Sequence, residues 1–166
     1  HIADGEIMQA VLSKEVTFEG NYDAFTLYRA LRLINPSPYM YFMNLGDFNI
    51  IGASPEILVQ SKQGKVTIRP IAGTRKRGIN SSEDLLNKID LIEDDKEKAE
   101  HMMLVDLARN DLSKVSTVGS VNVDEMMIVE KYSHVMHMTS NVIGQKKDES
   151  TAIDCMKAVS YTHLTL

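Results

Sequence analysis

The stretch from Asp94 to Val115, DDKEKAEHMMLVDLARNDLSKV, constrains the fold more than any other part of the chain. It predicts a helix from Asp95 to about Leu112. Asp94 with Glu97 three residues on has the spacing of a capping box, which fixes the helix start. At about 100° per residue, Glu93, Glu97, Glu100, Leu104, Ala108 and Asp111 share one stripe. Ala99, Met102, Met103 and Asp106 share the opposite one. Apolar residues on both stripes predict a second half that is buried all round. Within it Asp106 has Arg109 and Asn110 at the spacings where helical side chains meet, so it reads as a buried, paired structural acid.

The acids at the helix start admit two readings. Glu97 and Glu100, one turn apart at the mouth of a buried helix, repel each other. A hard cation with oxygen ligands relieves that repulsion, and Mg²⁺ typically takes one or two protein carboxylates. The other reading is a solvated acidic N-terminus favoured by the helix dipole, with Lys96 and Lys98 close by.

The remaining segments predict paired strands and further helices. Ala3 to Gln9 reads as a short helix and Ala10 to Phe18 as a β-rich run. Asn21 or Asp23 can cap a helix that ends before Asn35-Pro36, since proline disfavours helical geometry in the residue before it. Tyr39 to Leu45 and Phe48 to Ala53 form a pair joined by Gly46-Asp47, a sequence suited to a type II′ turn. Glu56 to Ser61 and Lys65 to Ile71 form a second pair about Gln63-Gly64. A short helix from Ser82 to about Ile92 precedes the long one. Strands at Ser120 to Ile128 and Lys131 to Gly144 follow, and a last helix starts near Ser150. Hairpins grouped together, with helices grouped elsewhere, predict an α+β fold.

Composition excludes several classes. With 166 residues, 43% hydrophobic and 25% charged, the chain suits one soluble domain. A net charge of -5 argues against general nucleic-acid binding, which needs clustered Lys and Arg. No apolar run reaches membrane-span length, and nothing at the start reads as a signal peptide. Cys155 is the single cysteine, so no internal disulfide forms and a reducing, cytoplasmic setting is expected.

Five stretches, taken together, resemble one family. KEKAEHMMLVDLARNDL (96–112) closely resembles the signature of chorismate-utilising enzymes, in particular the anthranilate synthase component I type. NPSPYMYF (35–42), GASPE (52–56), PIAGTRKRG (70–78) and YSHVMHMTSNVIG (132–144) match in family order and at near-family spacing. The resemblance spans essentially Ile2 to Val159. It implies stacked antiparallel sheets flanked by helices that form a cleft, with domain bounds of 1–159.

The resemblance also implies roles. Glu100 takes the position of the direct Mg²⁺ ligand and Glu97 that of a neighbouring acid acting through water, the ion holding a carboxylate of chorismate. Glu56 takes the position of a general acid that protonates the departing ring hydroxyl, which needs a raised pKa. His137 takes the position of a histidine facing substrate near the leaving group; by itself it reads as a core histidine. His134 and His101 have no such support and read as structural. Gly73 and Thr74 form a bend whose backbone approaches substrate. The RKRG run (75–78) reads as a solvated basic loop that can also attract dianionic chorismate. Pro38, Tyr39 and Met40 match a segment that helps bind feedback tryptophan.

Within the family two positions discriminate. Ala72 stands where aminodeoxychorismate synthases typically carry lysine. Gln9, near the substrate, stands where salicylate and isochorismate synthases carry a lysine thought to activate water. Ala72 thus favours the type that makes anthranilate and pyruvate, and Gln9 an enzyme whose nucleophile is ammonia, supplied from glutamine by an amidotransferase subunit; aminodeoxychorismate synthase component I and an inactive fragment are the alternatives. After DCMKAV (154–159) the family usually continues FPAGTLSGAPK, whereas this chain reads SYTHLTL. Ser160 to Leu166 therefore read as a non-native tail, and the chain as a central piece of a larger subunit without activity of its own.

Overall fold

A computed structural model describes residues 1, 3–7, 10 and 12–159. Gln9 and the tail at 160–166 lie outside them. Helix α1 (Ala24–Ile34) begins where Asp23 accepts the Thr26 backbone N–H at 2.7 Å, and it ends at Asn35, ahead of Pro36. Strands β1 (Tyr39–Asn44) and β2 (Asn49–Ser54) pair antiparallel around Gly46-Asp47. Gly46 has φ 90°, as the first position of a II′ turn requires. The Phe25 ring meets Phe42 edge-on at 5.5 Å, which seats α1 on this hairpin.

The second hairpin is shorter than its sequence suggests. Strand β3 covers only Gln60–Lys62 and pairs with β4 (Lys65–Ile68). Pro55 has no N–H for a ladder. The hydroxyl of Ser54 accepts the Glu56 N–H at 3.2 Å, which bends the chain out of register before Glu56. Thus Glu56 sits on a connection, not at a strand start.

Strand β5 (Ile71–Lys76) leads to α2 (Ser81–Glu93), capped by Asn80, and then to α3 (Asp95–Val115), capped by Asp94. Strands β6 (Asn122–Lys131) and β7 (Val135–Gln145) form a long hairpin, and α4 (Ala152–Ala158) closes with a Thr151–Asp154 capping box. The β6–β7 turn lies at Tyr132 to His134, later than expected, and is closed by the Tyr132 N–H donating to Val135 O at 2.8 Å. Bulges in β6 at Val123/Glu125 and Glu125/Ile128 absorb the extra residues.

β7 is the centre of a five-stranded antiparallel sheet: β6 runs along one side, and β4 and β5 share the other. Val66, Ile68 and Val142 from the sheet pack against Val105, Leu112 and Val115 of α3 and Cys155 of α4. Leu91 of α2 packs on Met136 and Met138 of β7. Helices laid on one face of an antiparallel sheet give the expected α+β class. No helix among the described residues is long and apolar enough to cross a membrane.

Several local expectations fail. Ala3–Gly5 form a turn in place of a helix, and no strand forms among the described residues from 12 to 19. The side chains there, such as Leu12 and Phe18, are exposed, so no apolar face is buried that would hold a strand in place. Nor is α3 buried all round. Its inward face is His101, Leu104, Val105, Ala108, Asp111 and Leu112, while Met102 and Asp106 are exposed. Asp106 does pair with Arg109, at 3.1 Å, but in solvent. The buried acid is Asp111, 2% exposed and bound by Lys114 at 2.8 Å.

Candidate active site

A single bulge in β5 arranges this region. Ala72 pairs with Met138 and Thr74 with His137, so Gly73 is an extra residue in the ladder, at φ 75°. Paired residues share a face of the sheet. Ala72 and Met138 face the helices, and Thr74 and His137 face the opposite side. Were Gly73 paired as an ordinary strand residue, the alternation would send Thr74 to the helices and Arg75 away from them. The bulge inverts that phase.

On the far face His137 Nδ1 lies 3.0 Å from Thr74 Oγ1 and 3.3 Å from the Gly73 carbonyl oxygen. A carbonyl only accepts, so Nδ1 is assigned the hydrogen. The Tyr132 ring stands edge-on to His137 at 5.5 Å. Burial, then the hydrogen bond to Glu130, pushes the Tyr132 phenol up to about 12, so it stays protonated and donates to Glu130 at 2.8 Å.

Glu56 is half-buried, and burial pushes its carboxyl above the usual range, opposed by a hydrogen bond from the Ile71 backbone N–H. That bond ties it to the first residue of β5. A cavity of about 240 Å³ opens beside it, lined by Ser54, Glu56, Ile57 and Leu58. A carboxylic acid that keeps its proton more readily, next to an open space, suits proton donation.

On the helix face Glu97 packs against the bulge. A Cβ built on Gly73 would lie 3.2 Å from Glu97 Oε2. Glu97 is 18% exposed and does not return to the Asp94 backbone as a capping box would; it turns towards Arg75 Nη1, 3.8 Å from Oε1. Glu100, one turn on, is half-buried. No group of three or more His, Cys, Asp or Glu among the described residues could hold a metal ion. Two carboxylates one turn apart are a donor set suited to Mg²⁺, which retains several waters, and unsuited to Zn²⁺ or a full Ca²⁺ cage.

The basic run is not a solvated loop. Arg75 engages Asp90 and Asp94, the latter at 2.8 Å. Arg77 forms a two-nitrogen fork on buried Asp84 at 2.8 Å, and Lys131 reaches the same carboxylate at 2.8 Å. These ion pairs were not legible in sequence, because they depend on the bulge at Gly73. His101 is fully buried on α3, its Nε2 2.6 Å from Ser140 Oγ, in line with a structural role. His134 is exposed in the β6–β7 turn.

Pro38 and Tyr39 are exposed and Met40 half-buried at the start of β1. Tyr39 pairs with Ser54 and Met40 with Ala53, two and three residues before Glu56. The segment thus adjoins the Glu56 motif through one ladder. Glu56, Gly73, Thr74, His137 and Glu97 are tied to β5 by hydrogen bonds, pairing or packing. Glu100 lies one turn along from them, and Gln9 is outside the described residues.

Known proteins resemble this chain over most of its length. Over 159 residues the chain is 52% identical to anthranilate synthase component 1 of Pseudomonas aeruginosa, covering 96% of this chain and 32% of that protein. It is 50% identical to the Aquifex aeolicus protein of the same name over 160 residues, 95% of this chain and 32% of that one. The crystal structure of anthranilate synthase component I from Streptococcus pneumoniae superposes with TM-score 0.76 at 48% identity, covering 85% of this chain and 30% of that one. The chain therefore spans about a third of the length of the curated relatives it matches. Residues 1–160 match the model of the chorismate binding enzymes, and the chain belongs to that family.

Proposed function

We propose that this chain forms part of the catalytic body of an anthranilate synthase component I. The enzyme converts chorismate and ammonia to anthranilate, pyruvate and water. The observation that carries the reading is the bulge at Gly73, which brings Thr74 to His137 on one face and Glu97 to the backbone on the other. The identity of about half the residues with anthranilate synthases supports the same choice.

In this reading Glu56 donates its proton to the ring hydroxyl as that group leaves and ammonia adds at the carbon next to the carboxylate-bearing one. Partial burial makes Glu56 keep its proton more readily than an exposed carboxyl. The Gly73–Thr74 backbone forms the wall along which substrate lies, and glycine permits the close approach. His137 faces substrate near the leaving group, its ring fixed by Thr74 and the Gly73 carbonyl. Glu100 and Glu97 would hold Mg²⁺, which supplies positive charge against a substrate carboxylate. Ammonia comes from glutamine through a partner amidotransferase subunit, and tryptophan inhibits through Pro38, Tyr39 and Met40.

The test uses the chain extended to the length of its relatives, with chorismate, ammonium and Mg²⁺. The expected product is a fluorescent aromatic amine with its amino group ortho to the carboxylate. Accumulation of aminodeoxychorismate alone would reject the assignment.

A further inference from the structure

Arg75 lies where β5, α2 and the start of α3 meet. Its Nε donates to Asp90 on the last turn of α2, and its Nη2 donates to Asp94 Oδ2 at 2.8 Å. Its Nη1 donates to its own strand, at the Thr74 carbonyl, 3.1 Å away, and lies 3.8 Å from Glu97 Oε1. Asp94 divides its oxygens between two tasks. Oδ1 accepts the Lys96 and Glu97 backbone N–H groups at 3.0 and 3.1 Å, capping α3, while Oδ2 takes the guanidinium. One planar cation thus ties the rung that holds Thr74 to the first turn that holds Glu97.

The approach to Glu97 is longer than a hydrogen bond. Arg75 orients that carboxylate without saturating it. Nearby Lys98 is engaged with Asp95 at 2.7 Å. We infer that Arg75 is a positioning residue that presets Glu97, one turn before Glu100, for a divalent cation held by the two acids, an inference that rests on the metal reading above. A lysine cannot take its place, because a single ammonium lacks the fixed fork that reaches three directions at once.

The sign of the effect separates positioning from charge. A cation beside a metal site repels the metal, so as a bare charge Arg75 would weaken binding and its removal would tighten it. As a positioning group its loss weakens binding, by about 10–100-fold for residues that orient ligands.

The experiment measures Mn²⁺ binding by electron paramagnetic resonance in the chain extended to the length of its relatives, since carboxylate sites accept Mn²⁺ as well as Mg²⁺. Arg75→Lys and Arg75→Gln should each weaken binding by about tenfold or more with circular dichroism unchanged. Asp90→Asn removes one anchor of the guanidinium at an exposed site that does not endanger folding, and should weaken binding less, in the same direction. Glu100→Gln should abolish it. Wild-type affinity in Arg75→Lys or Asp90→Asn, or tighter binding in Arg75→Gln, with Glu100→Gln still deficient, would overturn the role of Arg75 alone. Full binding in Glu100→Gln would overturn the metal placement and this inference together.

Discussion

The backbone of Gly73 lies against the side chain of Glu97: a Cβ there would stand 3.2 Å from Oε2, and 2.8 Å from Leu91 Cδ1. With φ at 75°, the position is also one that other L-residues adopt only under strain. Gly73→Ala should destabilise the fold by about 1–3 kcal/mol from backbone strain. It should also push Glu97 from its place. Thermal unfolding measures the first effect. In the extended protein the second should appear as an activity loss larger than the unfolded fraction explains. A variant that melts like wild type would mean that the bulge relaxes at no cost.

Glu56 offers a stability test independent of turnover. Burial raises its folded pKa above the ordinary 4.5. A raised pKa favours the folded state at low pH, and that advantage is lost as pH rises through the folded value. The permanently neutral Glu56→Gln should therefore melt higher than wild type at about pH 7 and gain nothing at about pH 4. In the extended protein the same substitution should lower kcat by about 10²–10⁴-fold, as for a lost general acid. Near-normal turnover would move the acid elsewhere.

Asp84 titrates in the opposite sense. The hydrogen bonds from Arg77, then Lys131 and the Gly78 N–H, hold its carboxyl far below the usual range. Such a group adds stability above its unfolded value of 3.8, which is lost as pH falls through the folded one. Asp84→Asn should lower Tm at neutral pH, and the gap from wild type should narrow as pH drops below about 4. A gap that is constant with pH would assign the clamp's worth to shape instead of charge.

Much of the fold was legible because local chemistry and tertiary packing agree. Asp23, Asp94 and Pro36 punctuate helices by backbone rules that need no partner, and Gly46-Asp47 makes the turn its φ demands. Where packing decided, the sequence was ambiguous. Met102 and Leu104 look alike in a pattern, yet only Leu104 is buried. Asp106 and Asp111 each have a basic residue three positions on, and only the helix's contact with β4, β7 and α4 makes Asp111 the buried one. The roles of Arg75 and Arg77 hang on one extra residue in β5, which no alternation of polar and apolar side chains announces. The candidate site was legible as motifs through family likeness, but not its arrangement.

Feedback should be separable from catalysis. Tyr39 is 40% exposed and sits opposite Ser54 in the β1–β2 ladder, so its side chain is free to meet a ligand while its backbone supports the Glu56 motif. In the extended protein Tyr39→Ala and Met40→Ala should weaken inhibition by tryptophan more than they reduce turnover. Equal loss of both would make this segment a support for Glu56 and nothing more.

Glu97 and Glu100 should differ in consequence, although they are the same residue type one turn apart. Glu97 already faces Arg75 and lies against the Gly73 backbone, so part of its charge is compensated within the protein. A carboxylate so held suits contact through water, whereas direct coordination calls for the acid at the next turn. Mg²⁺ sheds water reluctantly and demands near-octahedral geometry, so exchanging a direct ligand should cost far more than exchanging a water-mediated one. In the extended protein Glu100→Gln should abolish Mg²⁺-dependent turnover, and Glu97→Gln should raise the Mg²⁺ concentration needed for half-maximal rate while leaving much of kcat. Magnesium titration of activity, with circular dichroism as the folding control, measures both. The reverse order of severity would exchange the two roles, and unchanged magnesium dependence in both would make the start of α3 a scaffold.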